Sequence, residues 1–245
     1  MPAMGGWETL PNKAAMSHNP RMRTRTKICC IASVEEARLA IQAGADAIGL
    51  VGATPSGPRT IADARIAEIT AAVPPPVATF LLTSERTADA ISAHVRRTHP
   101  TTVQILFPID PAESARFAAL EPHVRRVQVI HVEGPAALDL IPAYTPYVHA
   151  FLLDSGKPNA ATPEFGGTGR RHDWTVSAQF VRASPLPVFL AGGISAANAA
   201  AAIRQVRPFG LDLCSGVRTE GRLDPDKLAA FMSAVQRADE DLVPA

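Results

Sequence analysis

Cysteine is scarce in this chain: there are 3 in 245 residues, and two of them, Cys29 and Cys30, stand side by side in TKICCIAS at 26–33. Three cysteines cannot form the disulfide framework of a small secreted domain, and the absence of CxxC and of any paired His/Cys cluster argues against a metal site of the zinc type. The usage is that of a reducing cytoplasm. Charge of one sign is lacking too. The formal net charge is +1 and no long basic run occurs, so binding that depends on neutralising nucleic-acid phosphates is not expected. The N-terminus has no apolar region of the signal-peptide or membrane-anchor kind, and the dinucleotide fingerprint GxGxxG is missing after the first strand-like run. These absences leave a small molecule as the expected partner, with neither nucleic acid nor membrane, and with a monomer or a homodimer equally compatible.

Hydrophobic residues, in contrast, make up 47% of the sequence, enough to bury one large α/β core. Residues 1–26 contain Pro, Gly and Asn without a helical period and are read as a mobile arm. Met4, Met16 and Met22 leave an internal start of translation open. Residues 27–238 are read as the single folded domain and 239–245 as a C-terminal tail.

From Lys27 onward, short β-like runs alternate with helical segments. The strand candidates are KICCIA, AIGLVG, VATFLLT, TVQIL, RVQVIHV, HAFLLD, PVFLAG and GLDLCSG. Helical patterns fall at 33–43, 60–72, 85–98, 111–120, 135–141, 173–183, 195–206 and 224–236. Local start signals support them: Ser33 with Glu36 makes a capping box, and Asp224 precedes proline at the first helical position. Eight such units match a closed (β/α)8 TIM barrel, typically about 250 residues long; an open doubly wound sheet is the competitor. In a barrel the active site lies at the C-terminal ends of the strands.

Those ends carry Cys29, Arg59 in TPSGPRT, Asp154 in LLDSGKP, GGTG at 166–169, AGGI at 191–194 and DLCSG at 212–216. Gly192 with Gly193, running into a helix, and Ser215 with Gly216 can each turn backbone N–H groups toward an anion. Loops after the seventh and eighth strands are where barrels often hold phosphate. Glycine pairs also serve tight turns, and it is their occurrence at consecutive strand ends that favours phosphate binding.

Taken in order, KIC, AGADAIGLV, S-x-x-R, LLD, GGTG-x-x-x-DW, LAGG and VRPFGLDLCSG resemble phosphoribosylanthranilate isomerase, the cofactor-independent (β/α)8 enzyme of tryptophan biosynthesis. The resemblance runs from about Lys27 to Gln236 and is weakest between Pro74 and Tyr147. It implies an Amadori rearrangement of a phosphorylated substrate with no cofactor. The cysteine of KIC, here Cys29, is the implied general base, and the aspartate of LLD, here Asp154, the implied general acid. Arg59 is implied to meet the anthranilate carboxylate, and Lys27 and Asp212 to line the site. A structural ion pair is the competing reading for Asp154, with Lys27 or Lys157 as its partner, and for Asp212, and a solvated loop residue for Arg59. Strand alternation gives an independent expectation: Lys27 and Cys29 share the inward face with Asp154 and Asp212, since a charge toward the helices would be costly. Cys30 then points outward into the helix layer.

Several positions depart from the family pattern. Cys30 replaces a glycine, QLHG becomes Gln104-Ile105-Leu106-Phe107, GVE becomes Gly216-Val217-Arg218, and Cys214 takes the place of a serine and is read as packing. His131 is an alternative source of the histidine lost at position 106. These departures leave two rivals: a sister isomerase for another phosphorylated sugar amine, and a non-catalytic barrel that binds a phosphorylated ligand. Retention of both Cys29 and Asp154 argues against the second. The Lys and Glu constellation of indoleglycerol-phosphate synthase is not recognisable.

Overall fold

The computed structural model describes residues 23–54, 59–156 and 172–242. Residues 1–22 of the arm expected at 1–26, the GGTG motif at 166–169 and residues 243–245 of the tail expected at 239–245 lie outside them.

Eight parallel strands close into a barrel in sequence order. They are β1 (Arg25–Ile28), β2 (Ala47–Val51), β3 (Ala78–Thr83), β4 (Thr102–Ile105), β5 (Arg125–His131), β6 (Ala150–Asp154), β7 (Val188–Leu190) and β8 (Gly210–Leu213). The ring closes through β1 and β8, where Lys27 pairs with Asp212 and Ile28 with Leu213. The helices are α1 (Val34–Gln42), α2 (Asp63–Ala72), α3 (Ala88–Thr98), α4 (Pro111–Leu120), α5 (Leu140–Tyr144), α6 (Trp174–Ala183), α7 (Ala199–Val206) and α8 (Pro225–Glu240). No helix among the described residues is long and apolar enough to cross a membrane.

Side-chain alternation builds two cores. Ile28, Ile48, Leu81, Val103, Ile130, Leu153 and Leu211 face outward and meet the helices. Ala47, Val51, Phe80, Leu82, Val127, Val129, Leu152 and Phe189 fill the barrel itself. With both faces covered, the strands read as near-continuous apolar runs. Caps start the helices where the sequence predicts. The Ser33 hydroxyl accepts from Glu36 N (3.2 Å), and Asp224 Oδ1 accepts from the N–H groups of Asp226 and Lys227 at 3.0 and 3.1 Å. At the far end of the barrel, Asp239 on α8 accepts from Thr24 N (2.7 Å) and Thr24 Oγ1 (2.6 Å). The lead into the first strand is thereby tied to the last helix.

Three local readings are corrected. β1 stops at Ile28 because Cys30 has φ 62°, a left-handed conformation that ends an extended run and favours glycine. The helix expected from 195 begins at Ala199. Ser195 N donates instead to Asn198 Oδ1 (2.9 Å) and Asn198 Nδ2 to Gly193 O (2.8 Å), which shapes a separate turn ahead of it. The segment at 135–141 is a 3-10 turn, Pro135–Asp139, leading into the short α5. A small antiparallel pair, Arg218–Thr219 with Arg222–Leu223, is additional to the predicted elements. Its turn residues Glu220 (φ 48°) and Gly221 (φ 81°) both have positive φ, as a two-residue hairpin turn requires.

Candidate active site

Lys27 lies inside the barrel with no solvent exposure, and its Nζ is 2.8 Å from Asp212 Oδ1 on the neighbouring strand. The ammonium also stands 5.3 Å from the centroid of the Phe80 ring. Burial pulls its pKa down, but the charges of Asp212 and Cys29 outweigh burial and leave it raised. Lys27 is therefore a fixed cation in the barrel floor.

Two residues further along the chain, Cys29 N donates to Leu213 O (2.8 Å) and its side chain joins the inner cluster. Gly49 on β2 makes room for both groups. A Cβ there would stand 2.7 Å from Cys29 Sγ and 2.9 Å from Lys27 Nζ, closer than side chains tolerate. Thiol and ammonium thus converge on one point of the barrel wall.

Asp154 ends β6 on the same inward face as Leu152, beside His131 in the β5–β6 register. Its Oδ1 accepts from Ser155 N at 2.7 Å. His172, not singled out from the sequence, feels the charge of Asp154; burial lowers its pKa, against the pull of Asp154 and Asp173. Its Nε2 is 2.6 Å from Ser177 Oγ. His131 is engaged otherwise: its Nε2 lies 3.0 Å from the carbonyl oxygen of Leu106. Since a carbonyl only accepts, that nitrogen is the protonated one and donates.

At the ends of β7 and β8, Gly192 and Gly193 have φ of 81° and 66°. A Cβ on Gly192 would come 2.9 Å from Ser155 Oγ, a buried hydroxyl with no partner among the described residues. A Cβ on Gly216 would run into the Ile194 carbonyl oxygen. The two loops therefore pack main chain against main chain, with Ser155 beside them.

The structure corrects the reading of two cysteines. The positive φ of Cys30 turns its side chain back toward the mouth, against the inner cluster and the thiols of Cys29 and Cys214, instead of out to the helices. Cys214 is more than packing: Arg59 Nη1 lies 2.8 Å from its Sγ. Arg59 itself has φ 75°, and the interaction brings it to the β8 end of the mouth. Spacing alone gave no sign of these contacts, because both depend on left-handed backbone at single non-glycine residues.

All the described candidates therefore reach one end of the barrel. Lys27, Cys29, Asp154 and Asp212 lie on the inward face, Arg59 at the rim, and Gly192, Gly193, Ser215 and Gly216 in the paired loops. Lys157, a rival partner for Asp154, lies outside the described residues.

Residues 26–234 match the family model described as N-(5′-phosphoribosyl)anthranilate isomerase. The chain is 36% identical over 200 residues to N-(5′-phosphoribosyl)anthranilate isomerase of Methanocella arvoryzae, a match covering 81% of this chain and 91% of the relative. It is 34% identical over 219 residues to a second such protein, from Methanosarcina mazei, covering 89% and 95%. Among solved structures, phosphoribosyl anthranilate isomerase of Thermotoga maritima superposes with a TM-score of 0.75 at 26% identity, covering 87% of this chain and 99% of that one. The Thermus thermophilus enzyme superposes at 0.73 with 27% identity, again over 87% and 99%. With these matches spanning the whole barrel, the chain belongs to the N-(5′-phosphoribosyl)anthranilate isomerase family.

Proposed function

We propose that the protein converts N-(5′-phosphoribosyl)anthranilate to 1-(o-carboxyphenylamino)-1-deoxyribulose 5-phosphate, an isomerisation in tryptophan biosynthesis, with Cys29 as base and Asp154 as acid. The observation that carries this reading is the convergence at one barrel mouth of the Cys29 thiol, seated beside the buried Lys27–Asp212 pair, and the Asp154 carboxyl at the end of β6. Asp154 donates a proton to the furanose ring oxygen, the ring C–O bond opens and a Schiff base forms. Cys29, as thiolate, then takes the C2′ proton, and the resulting enolamine tautomerises to the ketone. Oxidation at C2′ is balanced by reduction at C1′, so no external redox partner is needed. Positioned acids and bases of this kind each contribute about 10²–10⁴-fold.

The substrate phosphate lies against the main-chain N–H groups of Gly192, Gly193, Ser215 and Gly216, in two loops that Gly192 and Gly216 allow to pack closely together. The unpartnered Ser155 hydroxyl adds a donor there. Arg59 meets the anthranilate carboxylate, which favours this substrate over a sugar amine without one. The free thiols Cys29, Cys30 and Cys214 fit a reducing cytoplasm.

Complementation tests the reading. Wild type should restore growth of a tryptophan auxotroph lacking the isomerase, while Cys29→Ala and Asp154→Asn, expressed in soluble form, should not. Failure of soluble wild type to complement, together with no consumption of phosphoribosylanthranilate in vitro, would overturn the assignment. Full activity in Cys29→Ala would overturn the mechanism alone.

A further inference from the structure

The proposed rearrangement uses one thiol, yet three meet at the seam where β1 joins β8. Ile28 pairs with Leu213, and the Cys29 N–H continues that ladder to the Leu213 carbonyl at 2.8 Å, which brings Cys29 alongside Cys214. Cys30 then folds back over the mouth, in reach of both other thiols. All three cysteines are free; Cys30 and Cys214 are partly exposed and Cys29 is buried. The surrounding backbone is firmly held. Arg218 Nη2 donates to the Cys30 carbonyl at 2.6 Å, and Arg59 Nη1 stands 2.8 Å from Cys214 Sγ. The described residues contain no group of three or more His, Cys, Asp or Glu side chains placed to hold a metal ion. What remains for a partly exposed thiol pair beside an arginine is reaction with an electrophile or oxidant.

The pair is polarised in opposite senses. The hydrogen bond from Cys30 and the charges of Arg59 and Arg218 overcome burial and pull the Cys214 thiol down. Its contact with Cys214, followed by that with Cys29 and by burial, pushes Cys30 up. A thiolate held beside a protonated thiol is the arrangement of an attacking and a resolving cysteine. Cys30 and Cys214 both pack against the inner cluster with their thiols in contact, the close approach that a disulfide needs.

We infer that Cys214 is a hydroperoxide-reactive site, that Cys30 is its resolving thiol, and that the disulfide between them reversibly shuts off the neighbouring Cys29 site. The last clause rests on the function proposed above. In the first step the Cys214 thiolate attacks a peroxide oxygen. An S–O bond forms, the O–O bond breaks, and the departing oxygen leaves as hydroxide or alkoxide and takes up a proton. In the second step Cys30 gives up its proton and attacks the sulfenic sulfur, so that an S–S bond forms, the S–O bond breaks and water leaves. Two thiols lose two electrons, and the peroxide gains them. The bridge removes the sulfur ligand of Arg59 and ties the residue after Cys29 to β8, displacing the base from its place beside Gly49.

The test uses the reduced full-length protein, treated with hydrogen peroxide and followed by intact mass, by peptide mapping after alkylation, and by turnover relative to each sample's own untreated rate. Wild type should lose two hydrogens and show Cys30 linked to Cys214 with Cys29 still alkylatable. Its turnover should fall about tenfold or more and return with dithiothreitol, since displacements near 1 Å can cost about 10²-fold. Cys30→Gly should stop at a sulfenic acid on Cys214 that dimedone traps, and Cys214→Ser should form no such link. Peroxide reacting first at Cys29, a Cys29–Cys30 link, or wild-type reactivity in Cys214→Ser would each overturn the site. A complete Cys30–Cys214 link with undiminished turnover would overturn the shut-off. The mass and mapping results stand even if the protein does not turn over phosphoribosylanthranilate, so failure of the functional reading is read separately.

Discussion

Arg218 reaches from the small hairpin after β8 to Glu36 in the first turn of α1, with Nη1 2.8 Å from Oε1 and only 2% of the arginine side chain exposed. Its guanidinium also donates to the carbonyls of Cys30 (2.6 Å) and Gly221 (3.0 Å). Glu36 accepts in turn from Leu223 N (3.0 Å) and Ala32 N (3.1 Å). The positive charge where the family pattern has glutamate is thus met by an acid across the β1–β8 seam. The knot fixes the loop that follows Cys29, and so links the charge change to the position of the proposed base.

Removing one partner of that pair should be costly. Arg218→Ala leaves Glu36 partly buried without its cation and should destabilise the protein by about 3 kcal/mol, a typical loss for a broken buried pair, measured by urea unfolding. Burial pushes the Glu36 carboxyl up, but Arg218 and the N–H groups of Leu223 and Ala32 outweigh it and hold its pKa below 4.5. A depressed folded pKa means that the unfolded state binds the proton more readily. The contribution is therefore complete above about pH 4.5 and disappears as pH falls through the lowered folded value. The gap between wild type and Arg218→Ala should narrow over that window, and an equal gap across it would exclude Glu36 as the source.

Backbone packing in the proposed phosphate cradle can be probed at Gly216. Alanine there drives a methyl into the Ile194 carbonyl oxygen, main chain that cannot swing aside. Gly216→Ala should raise KM for phosphoribosylanthranilate by about tenfold or more, in proportion to lost phosphate contacts worth at least about 1.4 kcal/mol, with a smaller change in kcat. Steady-state kinetics separates the two, and an effect confined to kcat would remove Gly216 from phosphate binding.

Most of this architecture was legible because it depends on periodicity. Eight apolar runs, the inward phase of Lys27, Leu152 and Asp212, and the caps at Ser33 and Asp224 each follow from local chemistry that the chain repeats. The orientation of Cys30 was not, because alternation holds only while the backbone stays extended, and it fails at a residue with φ 62°. A glycine in the family pattern at that position was the available signal, since glycine often marks positive φ. The Arg59–Cys214 and Arg218–Glu36 contacts join residues 155 and 182 positions apart, and only closure of the barrel through β1 and β8 brings them together. His172 stands just ahead of α6, outside any strand or helix, where no period indicates which side chain faces Asp154.

The buried ion pair offers a check on the barrel floor. Lys27→Met keeps the length of the side chain and removes its charge, leaving Asp212 inside the barrel with burial raising its pKa unopposed by the ammonium. Loss of one partner should destabilise the fold by about 3–5 kcal/mol. The double variant Lys27→Met with Asp212→Leu should recover much of that stability, since a packed apolar pair is often no worse than a buried ionic one. If the double variant regains stability without turnover, the pair is needed at the site and not merely for folding; recovery of both would make it structural.

Gly49 gives the sharpest separation of chemistry from stability. Its absent Cβ is the space into which Cys29 Sγ and Lys27 Nζ both project, at 2.7 and 2.9 Å from where a methyl would stand. Both are side-chain ends, so in Gly49→Ala the thiol and ammonium should move aside while the strand keeps its pairing with β3. The expected cost in stability is about 1 kcal/mol, near the middle of the range for single substitutions. Because the displaced atoms are the proposed base and its neighbouring cation, kcat should fall by about 10²-fold, the scale for a misplacement near 1 Å. Thermal unfolding and single-turnover kinetics on the same preparation measure both. A large stability loss with unchanged kcat per folded molecule would show that the Cys29 thiol is not the group that takes the C2′ proton.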